Sequence, residues 1–253
     1  MAAVVFELKD RVARVILDRP PLNVVDLSAA RELVEALERA SAERGLSAVV
    51  LAARGRAFCA GVDVRDHLPD RGAEMVRTFD RACAVLLEIE APVVAAVQGA
   101  ALGGGAELAL VCDLVWAAEN ATFGFPEIKL GVFPPVAAAG LAGVVSAQRA
   151  AELVLTGRVI PAAEAERFGL VNRVVPGAEL EAAVGTLVGE LAALSPAALR
   201  VAKRALRLGR ARPDARAIEA AENIYLEERL NAPDAIEGLR SFMEKRAPSW
   251  RQP

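Results

Sequence analysis

Short apolar runs at the start of the chain give way to helical periodicity at its end. Val4 to Leu8 and Val12 to Leu17 read as strands, with Lys9-Asp10-Arg11 as the hairpin turn between them. Ser28 to Arg44 places Leu33, Leu37 and Ala40 on one face and predicts a helix. Ala48 to Ala52 and Pro92 to Val97 are continuous apolar runs of the kind that form buried parallel strands. Arg71 to Glu90 reads as a helix between them, Gly103 to Leu110 as a helix that begins at a glycine triplet, and Leu114 to Ala117 as a further strand. Strands alternating with helices predict a mixed, mostly parallel sheet with right-handed crossovers. Beyond Gly131 the pattern becomes helical. The expected helices are 137–145, 146–156, 162–168, 180–194, 196–209, 215–230 and 234–244. The chain thus divides into an α/β core over 1–190 and a helical region over 191–253, without internal repeats or a low-complexity linker.

Composition narrows the function classes. Hydrophobic residues make up 54 % of 253 residues, enough for a large core, while aromatics are only 4 %. A net charge of −3 with interspersed signs argues against nucleic acid as the main partner. Arg207, Arg210 and Arg212 read as a solvated face. Cys59, Cys83 and Cys112 lie in apolar contexts and read as buried thiols of a reducing compartment. His67 is the single histidine, so the spacings offer no metal site and Cys59 lacks a basic partner that would make it a nucleophile. No signal-peptide pattern precedes the first strand, and the apolar stretches break before membrane-spanning length. A cytoplasmic protein without membrane attachment is the expectation.

Three motifs carry the candidate chemistry. Phe58-Cys59-Ala60-Gly61-Val62-Asp63 follows the third predicted strand, and a turn at Gly61 would leave the Val62 N–H pointing into a cleft. Leu102-Gly103-Gly104-Gly105-Ala106-Glu107 opens a helix, where the first N–H groups are unpaired and favour negative charge. It matches neither the P-loop nor the dinucleotide-binding glycine pattern. Phe123-Gly124-Phe125-Pro126-Glu127 supplies a second carboxylate in an apolar stretch, where an ionised group is costly unless paired or used. Each motif taken alone fits a structural role: a βα turn, a tight strand–helix contact, a loop carboxylate. Together they occur in order at the ends of predicted strands, where ligands of α/β sheets gather. Backbone donors beside two carboxylates suit proton transfer next to a carbonyl that becomes an oxyanion.

These residues resemble the enoyl-CoA hydratase/isomerase (crotonase) family over essentially the whole chain. The likeness runs from Leu17-Asp18-Arg19-Pro20 through the three motifs and Pro92 to Gly99, Cys112-Asp113, Ile128 to Gly131, Leu155-Thr156-Gly157 and Ala165 to Val171, and ends at Glu237-Gly238 and Phe242 to Arg246. It implies an α/β fold that is a crotonase-like spiral of ββα units, with a helical C-terminal trimerisation region and assembly as a homotrimer or dimer of trimers. It implies an acyl-CoA thioester as substrate, with no cofactor beyond its CoA moiety and no metal, nucleic acid or membrane partner. By motif position, Val62 and Gly104 would donate N–H groups to a thioester enolate, and Glu107 and Glu127 would hold a water and share the acid and base roles. CoA contacts would come from Leu22 in the Arg19–Asn23 loop, from Asp63, Val64 and Arg65, and from Phe242 and Lys245.

The departures from the family pattern concern the acyl group. Val132-Phe133-Pro134-Pro135 replaces the usual glycine-rich loop and implies a stiffer pocket wall at Phe133 and Pro134. Gln98 stands where an Asn is usual and reads as a local substitution. The stretch from Val64 to Asp70, with Leu130 to Pro135, is similar to a narrower branch, the cyclohexa-1,5-diene-1-carbonyl-CoA hydratases, and would bring His67 near the acyl pocket. A surface histidine is the alternative. Isomerase chemistry in the same site, or a binding role for the fold, are the rival functions.

Overall fold

A computed structural model describes residues 2–208 and 215–249 of the chain. The elements run β1 (Val4–Lys9), β2 (Val12–Leu17), α1 (Leu27–Ala42), β3 (Ala48–Ala53), α2 (Gly72–Glu88), β4 (Val93–Val97) and β5 (Ala100–Leu102). They continue with α3 (Gly104–Val111), β6 (Leu114–Ala118), β7 (Thr122–Gly124), α4 (Pro135–Gly140), α5 (Ala147–Thr156), β8 (Val159–Pro161), α6 (Ala162–Phe168) and β9 (Arg173–Val175). α7 (Leu180–Ala192), α8 (Pro196–Leu208), α9 (Ala215–Ile224) and α10 (Pro233–Met243) follow.

One sheet has the order β1-β2-β3-β4-β6-β9, parallel except for the β1–β2 hairpin. Asp10 and Arg11 take the positive φ values, 49° and 63°, of a tight hairpin turn. Successive strand residues face opposite sides. Val15, Val49, Leu51, Val93 and Ala95 face the main core with α1, α2 and α3, while Ile16, Val50, Val94 and Ala96 face Leu180 and Val184 of α7. Both faces are covered, which is why β3 and β4 read as unbroken apolar runs. The Asp26 side chain starts α1 by accepting from the Ala29 N–H at 2.9 Å.

Three features differ from the expected elements. A second sheet, β5-β7-β8, is built from strands of three residues each, too short for any periodicity to announce them. The helix expected at 137–145 begins at Pro135, whose fixed φ suits a first helical position, and ends at Gly140. The helix after Ala215 changes to a π turn over Tyr225–Arg229. Gln98 is used: its amide donates to Ala53 O at 2.8 Å and clasps the end of β3. Arg210 and Arg212 lie outside the described residues. α8 is tied to the core by Lys203, whose ammonium donates to Ala91 O at 2.7 Å and pairs with Asp113. α9 packs on α2 and α4, and α10 on the Pro126–Leu130 turn. No single helix among the described residues is long and apolar enough to cross a membrane.

Candidate active site

Parallel register brings the three motifs to one place. β5 and β7 pair in parallel with Leu102 opposite Gly124, and Cys59 bridges Ala101 in parallel. The residues that follow these segments, Val62, Gly104 and Glu127, therefore emerge at the same carboxyl end. They border one cavity of about 460 Å³ together with Glu107.

Two backbone donors face this space. Val25 donates to Gly61 O at 3.0 Å and accepts from the Asp63 N–H at 2.9 Å. In such a parallel bridge the N–H of the intervening Val62 points the other way. Gly104 is the first residue of α3, so its N–H has no acceptor inside the helix. The two are neighbours: a Cβ placed on Gly104 would lie 2.9 Å from Val62 Cγ2 and 2.7 Å from Phe79 Cζ. Only glycine lets these segments come so close. Gly103 has a positive φ of 53°, and a Cβ there would collide with the Glu127 carboxylate.

The carboxylates come from different elements. Glu107 lies in the first turn of α3, is 3 % exposed, and its Oε1 accepts from the Ala137 N–H at 2.9 Å at the start of α4. Glu127 lies in the short turn after β7, and its Oε2 is buried with no partner among the described residues. Burial pushes Glu107 up to about 7, against the opposing pull of the Ala137 and Val136 N–H groups. Burial, followed by the charge of Glu107, pushes Glu127 up to about 8. Both carboxyls are thus shifted toward the protonated form near neutral pH.

His67 is half-buried and lines the cavity. Its Nδ1 lies 3.1 Å from Asp63 O, an acceptor only, so Nδ1 carries the proton and Nε2 is left to accept. Burial lowers its pKa and favours the neutral ring. Phe133 and Pro134 line the cavity wall, and Phe133 meets Tyr225 edge-on, ring centroids 5.6 Å apart.

Of the residues expected to touch CoA, Val64 and Phe242 border the cavity, and Phe242 is 58 % exposed at its rim. Leu22, Asp63, Arg65 and Lys245 stand outside the cavity wall. The Arg65 guanidinium folds back on Asp63, Nε to Oδ1 3.0 Å. Lys245 is exposed beyond the end of α10, where the backbone turns with φ 53°. Cys59 is fully buried, and burial pushes its thiol up to about 12, which suits packing and not attack. Among the described residues no group of His, Cys, Asp and Glu could hold a metal ion.

Asp80 and Tyr225 also line the cavity and were missed by the motifs. Asp80 did leave a signal: it falls on the stripe of Val76, Phe79 and Cys83 that α2 buries, a position where a carboxyl is out of character.

Comparison with known proteins identifies the family and the fold. The chain matches the enoyl-CoA hydratase/isomerase family over residues 7–253. It is 36 % identical over 237 residues to the cyclohexa-1,5-dienecarbonyl-CoA hydratase of Thauera aromatica, covering 94 % of this chain and 92 % of that one. Among solved structures it is similar to an enoyl-CoA hydratase from Mycobacterium avium subsp. paratuberculosis, with TM-score 0.87, 30 % identity and 99 % of each chain covered. A carnitinyl-CoA hydratase from Mycobacterium avium superposes with TM-score 0.84 at 36 % identity, again over 99 % of each chain. The spiral of strands and helices is the crotonase fold, and the chain belongs to the enoyl-CoA hydratase/isomerase family.

Proposed function

We propose that the protein is a hydro-lyase that adds water to an α,β-unsaturated acyl-CoA, and that its acyl group is a cyclic dienoyl such as cyclohexa-1,5-diene-1-carbonyl. The observation that carries the reading is one cavity bordered by two backbone N–H groups and two buried carboxyls from different elements. The thioester oxygen sits between the N–H groups of Val62 and Gly104, which meet the charge that develops as the enolate forms. A water lies between Glu107 and Glu127. The pair takes its proton while hydroxide adds to the β-carbon, and returns a proton to carbon. One proton shared by two carboxyls supplies both an acid and a base at neutral pH.

The cyclic acyl group is supported by the relative in Thauera aromatica and by the Phe133-Pro134-Pro135 wall, which is stiff, apolar and backed by Tyr225. The rim, with exposed Phe242 and Lys129, is the side from which CoA enters, and Leu22, Arg65 and Lys245 lie beyond the acyl cavity, where the longer CoA chain would run. Assembly into trimers through the helical region 191–253 belongs to the same reading.

Glu107→Gln and Glu127→Gln test it. Each keeps size and hydrogen-bonding capacity but removes the shared proton site. Each should lower hydration of crotonyl-CoA by 10²-fold or more, within the usual range of about 10²–10⁴ for acid–base groups, while the melting transition is kept. Full activity in both variants, or double-bond migration without water uptake by the wild type, would contradict the proposal.

A further inference from the structure

A third carboxyl shares the cavity with the glutamate pair. Asp80 is 4 % exposed, lies in the cavity wall, and leaves Oδ2 without a hydrogen-bond partner among the described residues. It follows Phe79, whose ring packs on Gly104, and Glu107 lies one turn beyond Gly104. Asp80 and Glu107 thus stand on the facing helices α2 and α3. After burial, the charges that reach Asp80 are those of Glu107 and of Glu222 on α9, both negative, and they hold its carboxyl well above the usual range. Its neighbours in the wall, Met75, Val76 and Phe79, are apolar.

A neutral carboxylic acid whose Oδ2 is left unpaired beside apolar side chains is costly, by about 1–3 kcal/mol, unless something there uses its proton. Where the ligand is a hydrocarbon, the use is protonation of a carbon that becomes electron-rich during the reaction. We propose that Asp80 is a third acid of this site, which protonates the far carbon of a second double bond when that bond is attached to the α-carbon of the thioester. The inference rests on the hydratase reading and extends it to the fate of the proton.

The step balances. The glutamate pair takes one proton from water as hydroxide bonds to the β-carbon, and the electrons of the α,β double bond move to the thioester oxygen between the Val62 and Gly104 N–H groups. The extended enolate then returns its electrons through the α-carbon. A new double bond forms between the α-carbon and its neighbour, and the far carbon of the second double bond takes the Asp80 proton. Glu107 passes the proton gained from water to the Asp80 carboxylate. One water is consumed and nothing is oxidised or reduced. A mono-enoyl group has no such far carbon, and its enolate is protonated at the α-carbon by the glutamate pair.

The test runs wild type and Asp80→Asn with cyclohexa-1,5-diene-1-carbonyl-CoA and with crotonyl-CoA in D₂O, locating deuterium by NMR and following kcat/KM for each. Deuterium on the far ring carbon of the wild-type product is expected. So is a fall of about 100-fold, in Asp80→Asn, in the ratio of diene to crotonyl kcat/KM, within the usual range for a general acid. Asp80→Glu, which keeps an acid, should recover part of that ratio. If Asp80→Asn does not fold, Asp80→Ser takes its place, and the wild-type deuterium position needs no variant. Deuterium on the α-carbon of the wild-type diene product, or an equal loss with both substrates, would overturn the assignment. Wild type that hydrates crotonyl-CoA but not the diene would overturn it and leave the hydratase reading standing. Hydration of neither would remove both.

Discussion

Gly104→Ala separates the role of a backbone donor from that of its surroundings. The new Cβ would stand 2.7 Å from Phe79 Cζ, 3.1 Å from Phe79 Cε1 and 2.9 Å from Val62 Cγ2. Carbon atoms rest at about 3.5–4.0 Å, so the overlaps approach about 1 Å. Neither neighbour yields easily: Phe79 is 3 % exposed, and Val62 is fixed by its bridge to Val25. Overpacking of this kind costs about 1–3 kcal/mol. Alanine in place of glycine at a helical position returns about 1 kcal/mol. The net loss of about 0–2 kcal/mol lowers the melting temperature by a few degrees for a chain of this size. The effect on rate is larger. The wedge pushes Gly104 away from Val62 and opens the pair of N–H groups that would hold the enolate oxygen. Losing one such donor costs about 10²–10³ in kcat. Because that contact strengthens only as charge develops, kcat should fall with KM nearly constant. Steady-state hydration of crotonyl-CoA beside a thermal melt reads both quantities. A kcat within threefold of wild type would refute the assignment of the Gly104 N–H, whatever the melting temperature does.

Three further outcomes follow from buried charge. The rate should be bell-shaped in pH, with limbs in the region of about 7 to about 8, because full protonation removes the base and full ionisation removes the acid; a flat profile from about pH 5 to 9 would contradict the shared proton. The raised values also set the sign of a stability effect. A carboxyl whose folded pKa lies above its unfolded one favours the fold at low pH and loses that contribution as pH rises through the folded value, so Glu127→Gln should melt higher than wild type above about pH 8 and show no such gain below about pH 4. Lys203→Ala should destabilise the protein by about 1–3 kcal/mol, since it removes the charged tie from α8 to Ala91 O and Asp113; chemical denaturation checks it, and a loss below about 1 kcal/mol would show that α8 is held by other contacts.

Much of this architecture was legible in the chain because its signals are local. Unbroken apolar runs at Ala48 and Val93 announce strands buried on both faces, and the spacing of Leu33, Leu37 and Ala40 announces α1. The glycine triplet and the two glutamates carry the site, since each departs from what its neighbourhood would choose on packing grounds. The strands β5, β7 and β8 were not legible: three residues hold less than two periods of alternation, and their pairing depends on contacts between distant segments. Yet they set the register that delivers Val62, Gly104 and Glu127 to one end. Asp80 was hidden differently. A single carboxyl in a helix normally reads as a solvent-facing position, and only its phase relative to Val76, Phe79 and Cys83 betrays that α2 buries it. The extent of the pocket wall was illegible for a third reason. Tyr225 reaches it through a π turn at the end of α9, and helix sequences do not announce such turns.

The most direct test of the proposed function is a water-addition assay by mass spectrometry, with crotonyl-CoA and cyclohexa-1,5-diene-1-carbonyl-CoA side by side. The site described here predicts a mass gain of one water on the cyclic diene at a kcat/KM above that for crotonyl-CoA. Turnover of crotonyl-CoA alone would contradict the cyclic acyl group, and no mass gain on either substrate would contradict the hydratase itself.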